Sequence, residues 1–570
     1  MRALTDNGAV TLRSTLARPF RYPVRWLSFL VGGVLVILVF PAPSLSYLAW
    51  FGLVPAMVLF VRAPSDREAA ARGWWFGAAY LIAMLYWMAP EIGPGLLLLG
   101  AVFGGMWSPF AVAARRLLRP PVSWRSALGA LAVVPSCWLI PEWIRSYQGL
   151  GGPWDLYGAS QWQHPAVLAL AAVGGVWLVS AALVMANVAI TLVIGAVRPS
   201  LLAPGAASAP AAALAAGTAA RRAALAAAGG AALLAAAGSG PLAFALTPPF
   251  PAVRQVTIAM VQPGVIDNAG LRAHASETLT AELSRGGSLA GVHPDLIVWG
   301  ESSIAEDLTL PSSRPLLRQI ERLSAEDGAE ILVSQDATPP GKGHEKWAVL
   351  VSPSGIKGIY VKTRLVPFGE YIPFRQQLGW LTKISKAAPA NMTPGTGAHL
   401  LHATDREGRP LPIGVLICFE SAFPDMSRVE ADQGAQLIVY QSATSTFQGT
   451  WGPDQHASLA ALRAAETGRP DVQAALTGDT VAFDARGRQL AWLGQSGRGV
   501  VTVRLALPAG TARTFYDRAG DYVMWTGVAV AALAALAFLL RRRGFLGGSA
   551  GISGSRTAQY DADAGQPVPS

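Results

Sequence analysis

Charge is what this chain has little of. Only 14% of its 570 residues are Asp, Glu, Lys or Arg, and 52% are hydrophobic. Soluble domains carry about 25% charged residues. The shortage excludes an ordinary soluble globule and leaves a membrane protein, or a soluble domain fused to membrane spans. Cysteine is scarcer still. Of the two present, Cys137 lies inside an apolar span and Cys418 ends a short apolar run, so a disulfide between them is not expected. The seven histidines lack ligand-type spacing, which argues against a metal site. No glycine loop of the phosphate-binding kind appears, which argues against a nucleotide. Neither cofactor nor metal is therefore expected.

Long apolar runs are what the chain has in abundance. A bilayer core takes roughly 20 apolar residues per helix. Candidate spans lie at about 26–43, 45–62, 73–90, 94–115, 126–144, 165–197, 223–247 and 522–540. The run from Trp26 has no small-residue cleavage site and reads as a retained span. Eight spans put both termini on one side. With the N-terminus inside, the inner loops hold Arg62, Arg67 and Arg72, then Arg115, Arg116, Arg119 and Arg125, then Arg198, Arg221 and Arg222, then Arg541 to Arg543. The outer loops hold little that is basic, Arg145 excepted. This follows the positive-inside rule and explains much of the +10 net charge without nucleic acid. The organisation expected is a cytoplasmic basic tail (1–25), about seven spans (26–247), an outward-facing domain (248–520), a last span (521–541) and a cytoplasmic tail (542–570). An outer loop from Glu142 to His164 is rich in Gly and aromatics. It reads either as an interfacial aromatic belt or as the floor of a site that handles lipid.

The outward domain alternates strand and helix signals. Strands are expected at Val256–Val261, Asp295–Trp299, Glu330–Ser334, Pro412–Ile417, Leu437–Gln441, Val472–Leu476, Val481–Asp484 and Val500–Leu505. Trp347–Ser352 and Gly358–Val361 flank the turn Pro353-Ser354-Gly355 as a hairpin. Helices are expected at 270–289, 315–327 and 455–467, and after Cys418. The pattern is a mixed sheet layered with helices.

Chemistry in layered α/β domains gathers beyond strand ends. Three ends stand out: Glu301 after Leu296 to Trp299, Lys362 after Ile359 to Val361, and Cys418 after Leu416-Ile417. A thiol at a strand-to-helix turn lies near backbone N–H groups, which favour the thiolate. Glu301 is suited to take the thiol proton and return it to a leaving group. Cys418 is suited to attack a carbonyl and form a thioester. Lys362, with the N–H after Cys418, is placed to hold the oxyanion. His456 reads as a surface or packing residue. Arg364, next to the site, reads either as a partner for a lipid phosphate or as a solvated side chain.

Trp299-Gly300-Glu301-Ser302, the run Val361 to Pro373 and Ile417-Cys418-Phe419-Glu420 resemble the Glu-Lys-Cys motifs of the nitrilase superfamily. With eight spans around them, and with the loop Pro153 to Gln161, they resemble its membrane-integrated branch, the apolipoprotein N-acyltransferases. The resemblance implies an extracytoplasmic αββα sandwich inserted in a polytopic helical membrane domain. It implies Cys418 as nucleophile with Glu301 and Lys362, supported by Glu370, Phe419 and Glu420. It implies transfer of an acyl chain from a phospholipid, through a Cys418 thioester, to the α-amino group of an S-diacylglyceryl cysteine on an apolipoprotein, at a bacterial inner membrane. Monomeric function without nucleic acid goes with it. An apolar path for the chain is expected from Trp154, Tyr157 and Trp162, with Phe368, Tyr371, Ile372, Phe374, Phe447 and Trp451. Of these, Trp154, Tyr371, Phe447 and Trp451 are the expected substrate contacts. The chain departs from the family at Gly300 (Pro in the family), at Phe419 (Tyr), in Gln441 to Gly449 and in Thr477 to Thr480. A membrane-tethered amidohydrolase using water as acceptor shares the same triad, and a non-catalytic membrane scaffold is the remaining alternative.

Overall fold

The computed structural model describes residues 23–203, 215–285, 292–383 and 388–542. Most of the expected basic tail, part of the Ala-rich inner loop, and the C-terminal tail with Arg543 lie outside the described residues. Where a chain cannot hydrogen-bond to water it must satisfy its own backbone, and the apolar stretches accordingly form helices. Among the described residues, five are long and apolar enough to cross a membrane: Gly95–Leu118, Trp124–Arg145, Ala171–Val197, Ala219–Leu246 and Tyr522–Arg541. Pro23–Val39 and Ser46–Val61 are shorter apolar helical stretches. Asp66–Met84 carries Asp66, Glu68 and Arg72 in its first two turns before turning apolar. Its start is fixed by Ser65, whose side chain accepts from the backbone N–H of Glu68.

Between the helices at 219–246 and 522–541 the chain builds two six-stranded sheets. The first contains β1 (Ala252–Gln262), β2 (Leu296–Trp299), β3 (Glu330–Ala337), β4 (Glu345–Ser352), β5 (Gly355–Val361) and β12 (Gly499–Pro508), in the order β12-β1-β2-β3-β4-β5. The second contains β6 (Leu400–Thr404), β7 (Pro410–Ile417), β8 (Leu437–Ser442), β9 (Asp471–Ala475), β10 (Thr480–Phe483) and β11 (Gln489–Leu493), in the order β11-β10-β9-β8-β7-β6. In each sheet three central strands run parallel, β1-β2-β3 and β7-β8-β9, and the outer ones pair antiparallel. The edge-side strands β6 and β11 were not expected from the sequence. Each is five residues long and only partly buried, so neither carries the apolar run that marks a central strand.

The period of two along β1 explains the layering. Val256, Ile258 and Met260 join the core between the sheets, whereas Ala259 and Val261 join a separate core beneath the helices Arg272–Arg285 and Arg314–Asp327. On the second sheet the outer layer is Pro424–Gln433 and Gly452–Thr467. The result is a helix–sheet–sheet–helix sandwich, the nitrilase-like arrangement.

Gly452–Thr467 is buried on nearly every side, because it lies between the second sheet and the membrane helices. Its many alanines let both neighbours approach. The membrane helix it meets, Ala171–Val197, breaks at Gly174-Gly175, where Gly175 takes φ +66°. A Cβ at Gly175 would lie 2.6 Å from the Tyr516 ring, so only glycine fits. The break leaves the Val176 N–H without a helical acceptor, and Glu466 Oε1 accepts it at 2.8 Å. A carboxylate at a helix start both caps it and meets the dipole. Glu466 also pairs with the buried Arg463 at 2.8 Å, so Glu466→Ala, which removes cap and pair together, is expected to destabilise the protein by about 3–5 kcal/mol, and Glu466→Gln, which keeps an acceptor, by less. Thermal unfolding in detergent measures both.

Candidate active site

The apolar strand β7 delivers Cys418 to the edge of the sandwich. Cys418 itself takes φ +52°, a left-handed conformation uncommon for a residue with a Cβ. Cys418–Ala422 then forms a single 3-10 turn before the helix at Pro424. The turn is held by Glu420, whose Oε2 reaches back to the Ile417 N–H at 2.7 Å. Cys418 as a residue is half-buried. Its surroundings do not favour the thiolate, contrary to what the strand-to-helix position suggests. Burial, followed by the charge of Glu301, pushes the thiol up to about 12, and the opposing pull of Lys362 is smaller. At rest Cys418 is a neutral thiol.

Glu301 leaves β2 and points into the same space. Its Oε2 accepts from the Ala443 N–H at 3.1 Å. Its Oε1 lies 3.1 Å from Lys362 Nζ and 3.6 Å from Lys346 Nζ. Burial works to raise this carboxyl, but the two ammonium groups outweigh it and hold Glu301 well below the usual carboxylate range, with a hydrogen bond to Cys418 adding to their effect. Lys362, at the end of β5, is only 1% exposed. Burial would favour its neutral form, but Glu301 and Glu370 keep it charged. The structure thus brings Glu301, Lys362 and Cys418 together as an ionised carboxylate, an ammonium and a neutral thiol.

The Glu370 side chain accepts twice. Its Oε1 takes Lys362 Nζ at 2.6 Å and its Oε2 takes the Val366 N–H at 2.9 Å, so the lysine and its loop are tied together. Glu420 does the same across two strands. Its Oε1 accepts from the N–H groups of Thr363 and Arg364 at 2.7 and 2.9 Å and from the Tyr360 hydroxyl at 2.8 Å. Phe419 lies edge-on to Phe423 with centroids 5.1 Å apart. A Cβ on Gly152, in the loop from the helical domain, would sit 2.7 Å from the Phe419 ring. The ring at 419 is therefore packed against the helical domain in an apolar setting.

Trp154 is buried between Trp87 and His456, and its Nε1 donates to Gln455 Oε1 at 3.2 Å. It also lines a cavity of about 30 Å³ with Leu81, Leu85, Leu99, Phe103 and Gly151. Phe447 and Trp451 pack on Trp87 and Tyr86 of the helical domain. Tyr371 is half-buried and accepts the Phe368 N–H through its carbonyl at 2.6 Å. Tyr157 is buried within the helical domain, and Trp162 is buried at its joint with the sandwich, so neither lines a lipid path here. The Tyr157 hydroxyl donates to the Ala49 carbonyl at 2.8 Å, and Trp162 lies against Trp492. Arg364 is paired with Asp425 at 2.7 Å.

Two neighbours of the triad were not picked out from the sequence. His456, which reads as a surface or packing residue, is fully buried between the Ser421 and Ser442 hydroxyls at 3.2 and 3.4 Å. Burial drives it down to about 4, so it is neutral. Lys346 is the other. A lysine just ahead of the apolar run Trp347 to Val351 was the available signal. The departure at Gly300 also has a cause. A Cβ there would collide with the backbone of Ala475 and Leu476 on the facing sheet. Gly300→Ala is expected to cost about 1–3 kcal/mol through overpacking and to displace Glu301. A lowered unfolding temperature together with slower alkylation of Cys418 is the expected outcome.

Residues 32–189 match the family described as apolipoprotein N-acyltransferase N-terminal domain, and residues 294–513 match carbon-nitrogen hydrolase. The chain is 30% identical to the apolipoprotein N-acyltransferase of Sinorhizobium medicae, over 93% of this chain and 97% of that one. It is 32% identical to that of Sinorhizobium fredii, over 81% and 82%. Among solved structures it is similar to a mutant amidase from Nesterenkonia sp. AN1, with 19% identity, 44% of this chain and 92% of that one covered, and a TM-score of 0.30. With one match falling on the helical half and the other on the sandwich, and with relatives that run nearly end to end, the chain belongs to the apolipoprotein N-acyltransferase family.

Proposed function

We propose that the protein N-acylates apolipoproteins by a ping-pong reaction through Cys418. In the first half, Cys418 Sγ attacks an ester carbonyl of a phospholipid while Glu301 takes the thiol proton. Lys362 and the Phe419 N–H stabilise the oxyanion. The C–O bond breaks, Glu301 returns the proton to the leaving glyceryl oxygen, and a lysophospholipid departs. In the second half, the α-amino group of an S-diacylglyceryl cysteine attacks the thioester. Glu301 takes the amine proton, the C–S bond breaks, and the thiolate recovers its proton.

The observation that carries this reading is the ionised Glu301 hydrogen-bonded to both the ammonium of Lys362 and the neutral thiol of Cys418. A base kept charged beside a thiol kept neutral fits proton transfer that occurs only as attack begins. The loop of the helical domain that carries Gly152 packs against Phe419, the residue after Cys418, which supports a membrane-borne donor. Each CH₂ moved into water costs about 0.8 kcal/mol, so lifting a chain of about 16 carbons out of the bilayer would cost roughly 12 kcal/mol. An acyl group therefore has to be met at the membrane. The arginine distribution supports eight spans with the sandwich outside the cytoplasm of a bacterial inner membrane. The domain limits proposed are 26–247, 248–520 and 521–541.

Incubation with phospholipid alone is expected to give a hydroxylamine-labile acyl-Cys418, visible by mass spectrometry. Cys418→Ala abolishes both the adduct and N-acylation. Glu301→Gln and Lys362→Met are expected to slow adduct formation, the latter by roughly 100- to 1000-fold, the usual cost of one oxyanion donor. Wild-type transfer by Cys418→Ala, or no adduct before acceptor is added, refutes the mechanism. For orientation, single cysteines at the exposed positions Ser354, Ser65 and Ser200 are introduced with Cys137 and Cys418 removed. Only the cysteine at 354 is expected to react with an impermeant reagent in spheroplasts. The reverse pattern overturns the outward placement.

A further inference from the structure

Glu301 has a second cation that the mechanism leaves idle. Lys346 is the second residue of β4, and its backbone is fixed to Lys362, since the Lys362 N–H donates to the Lys346 carbonyl at 2.9 Å. Its own ammonium is buried and has three neighbours. Nζ donates to Ser302 Oγ at 2.6 Å and lies 3.1 Å from Asp336 Oδ1 and 3.6 Å from Glu301 Oε1. Ser302, which follows Glu301 and takes φ +53°, passes its own hydroxyl proton to Asp336 at 3.2 Å. Asp336 faces Lys346 across the β3–β4 ladder. Lys346 is thus anchored from below by two groups and aimed at the oxygen of Glu301 that also meets Lys362.

We infer that Lys346 is a positioning residue that sets the acid–base strength of Glu301, weakening it as a base so that it is a stronger acid toward the leaving oxygen. The inference rests on Glu301 being the proton carrier. A lysophospholipid leaves as an alkoxide, a far stronger base than any carboxylate, and its departure depends on prompt protonation. A thiol, or the amine nitrogen once it has added to the thioester carbonyl and become positively charged, gives up its proton far more readily. One carboxyl must serve both steps. A carboxyl facing a single ammonium would be the better base, and a second ammonium biases it toward donation. Among the described residues, the titratable groups that face Glu301 are Lys362 from β5, Lys346 from β4, the neutral thiol of Cys418 after β7, and the neutral His456 from the helix beneath. Glu370 and Asp336 act through the two lysines. No oxidant or further reactant is needed.

The test is the pH dependence of acyl-Cys418 formation from phospholipid, with Glu301→Gln run alongside. An opposite charge within about 4–6 Å lowers a carboxyl by about 1–3 units. Asp336 offsets part of this for Lys346. Removing the cation raises Glu301, and the base is lost at higher pH than before. The acid limb of Lys346→Met and of Lys346→Gln is therefore expected to move up by about one unit. Lys346→Arg, which retains the charge, stays near wild type. Thermal unfolding and retention in the membrane certify each variant, and the Gln variant, which keeps a donor to Ser302, covers a misfolded Met variant. An unmoved limb in either folded variant overturns the inference while leaving Glu301 as base. Wild-type thioester formation by Glu301→Gln removes the base assignment itself, and this inference with it.

Discussion

A lysine ammonium sealed in protein has to be neutralised on the spot, and the pairing of Lys362 with Glu301 and Glu370 does this. Removing one partner of a buried pair typically costs about 3–5 kcal/mol, because the other charge stays behind without water. That penalty makes the site self-enforcing. Glu301 has to stay ionised for Lys362 to be tolerated, and an ionised Glu301 in turn keeps the nearby thiol protonated. The chemical states of all three residues follow from one desolvation problem. The ties that surround them, from Glu370 to Val366 and from Glu420 to residues 363, 364 and 417, keep that arrangement in a fixed geometry.

The convergence of Glu301, Lys362 and Cys418 was legible in the sequence because strand ends are marked. A short apolar run that stops at Glu, Lys or Cys announces both the strand and the place where its last residue emerges. The central strands and the helix at 314–327 were legible for the same reason, since burial imposes a pattern. The edge-side strands β6 and β11 carry weaker patterns because one side of each meets little of the core. Aromatics misled the reading of the loop 151–162. Tyr157 and Trp162 have the composition of a lipid-facing belt but fill the interior, since an apolar side chain looks the same in sequence whether it meets lipid or protein. The thiol misled it in another way. Proximity to backbone N–H groups could be foreseen from position, whereas the burial that outweighs it depends on the packing of distant segments.

Polar side chains carry much of the joint between the sandwich and the helices. Gln455 shows this best. Its Oε1 accepts from Trp87 at 2.9 Å and from Trp154 at 3.2 Å, and its Nε2 donates to the Pro41 carbonyl at 3.3 Å. Three separate parts of the helical domain meet on one amide from the sandwich. His456, the next residue, lies behind the turn that carries Cys418. Such an amide is worth little as an isolated bond but much as a locating pin, because leaving any of its partners unmade in the interior costs about 1–3 kcal/mol.

The cap that Glu466 places on the broken membrane helix has a mechanical meaning. A sandwich hung on two flexible linkers could rise and tilt over its bundle. Here the helix Gly452–Thr467 is clipped at one end to Trp87 and Trp154 through Gln455 and at the other to the Val176 N–H through Glu466. Two clips on one rigid rod prevent both sliding and rocking. The height of the nucleophile above the bundle is therefore a built-in ruler, set by the length of one helix and not by the tension of its tethers.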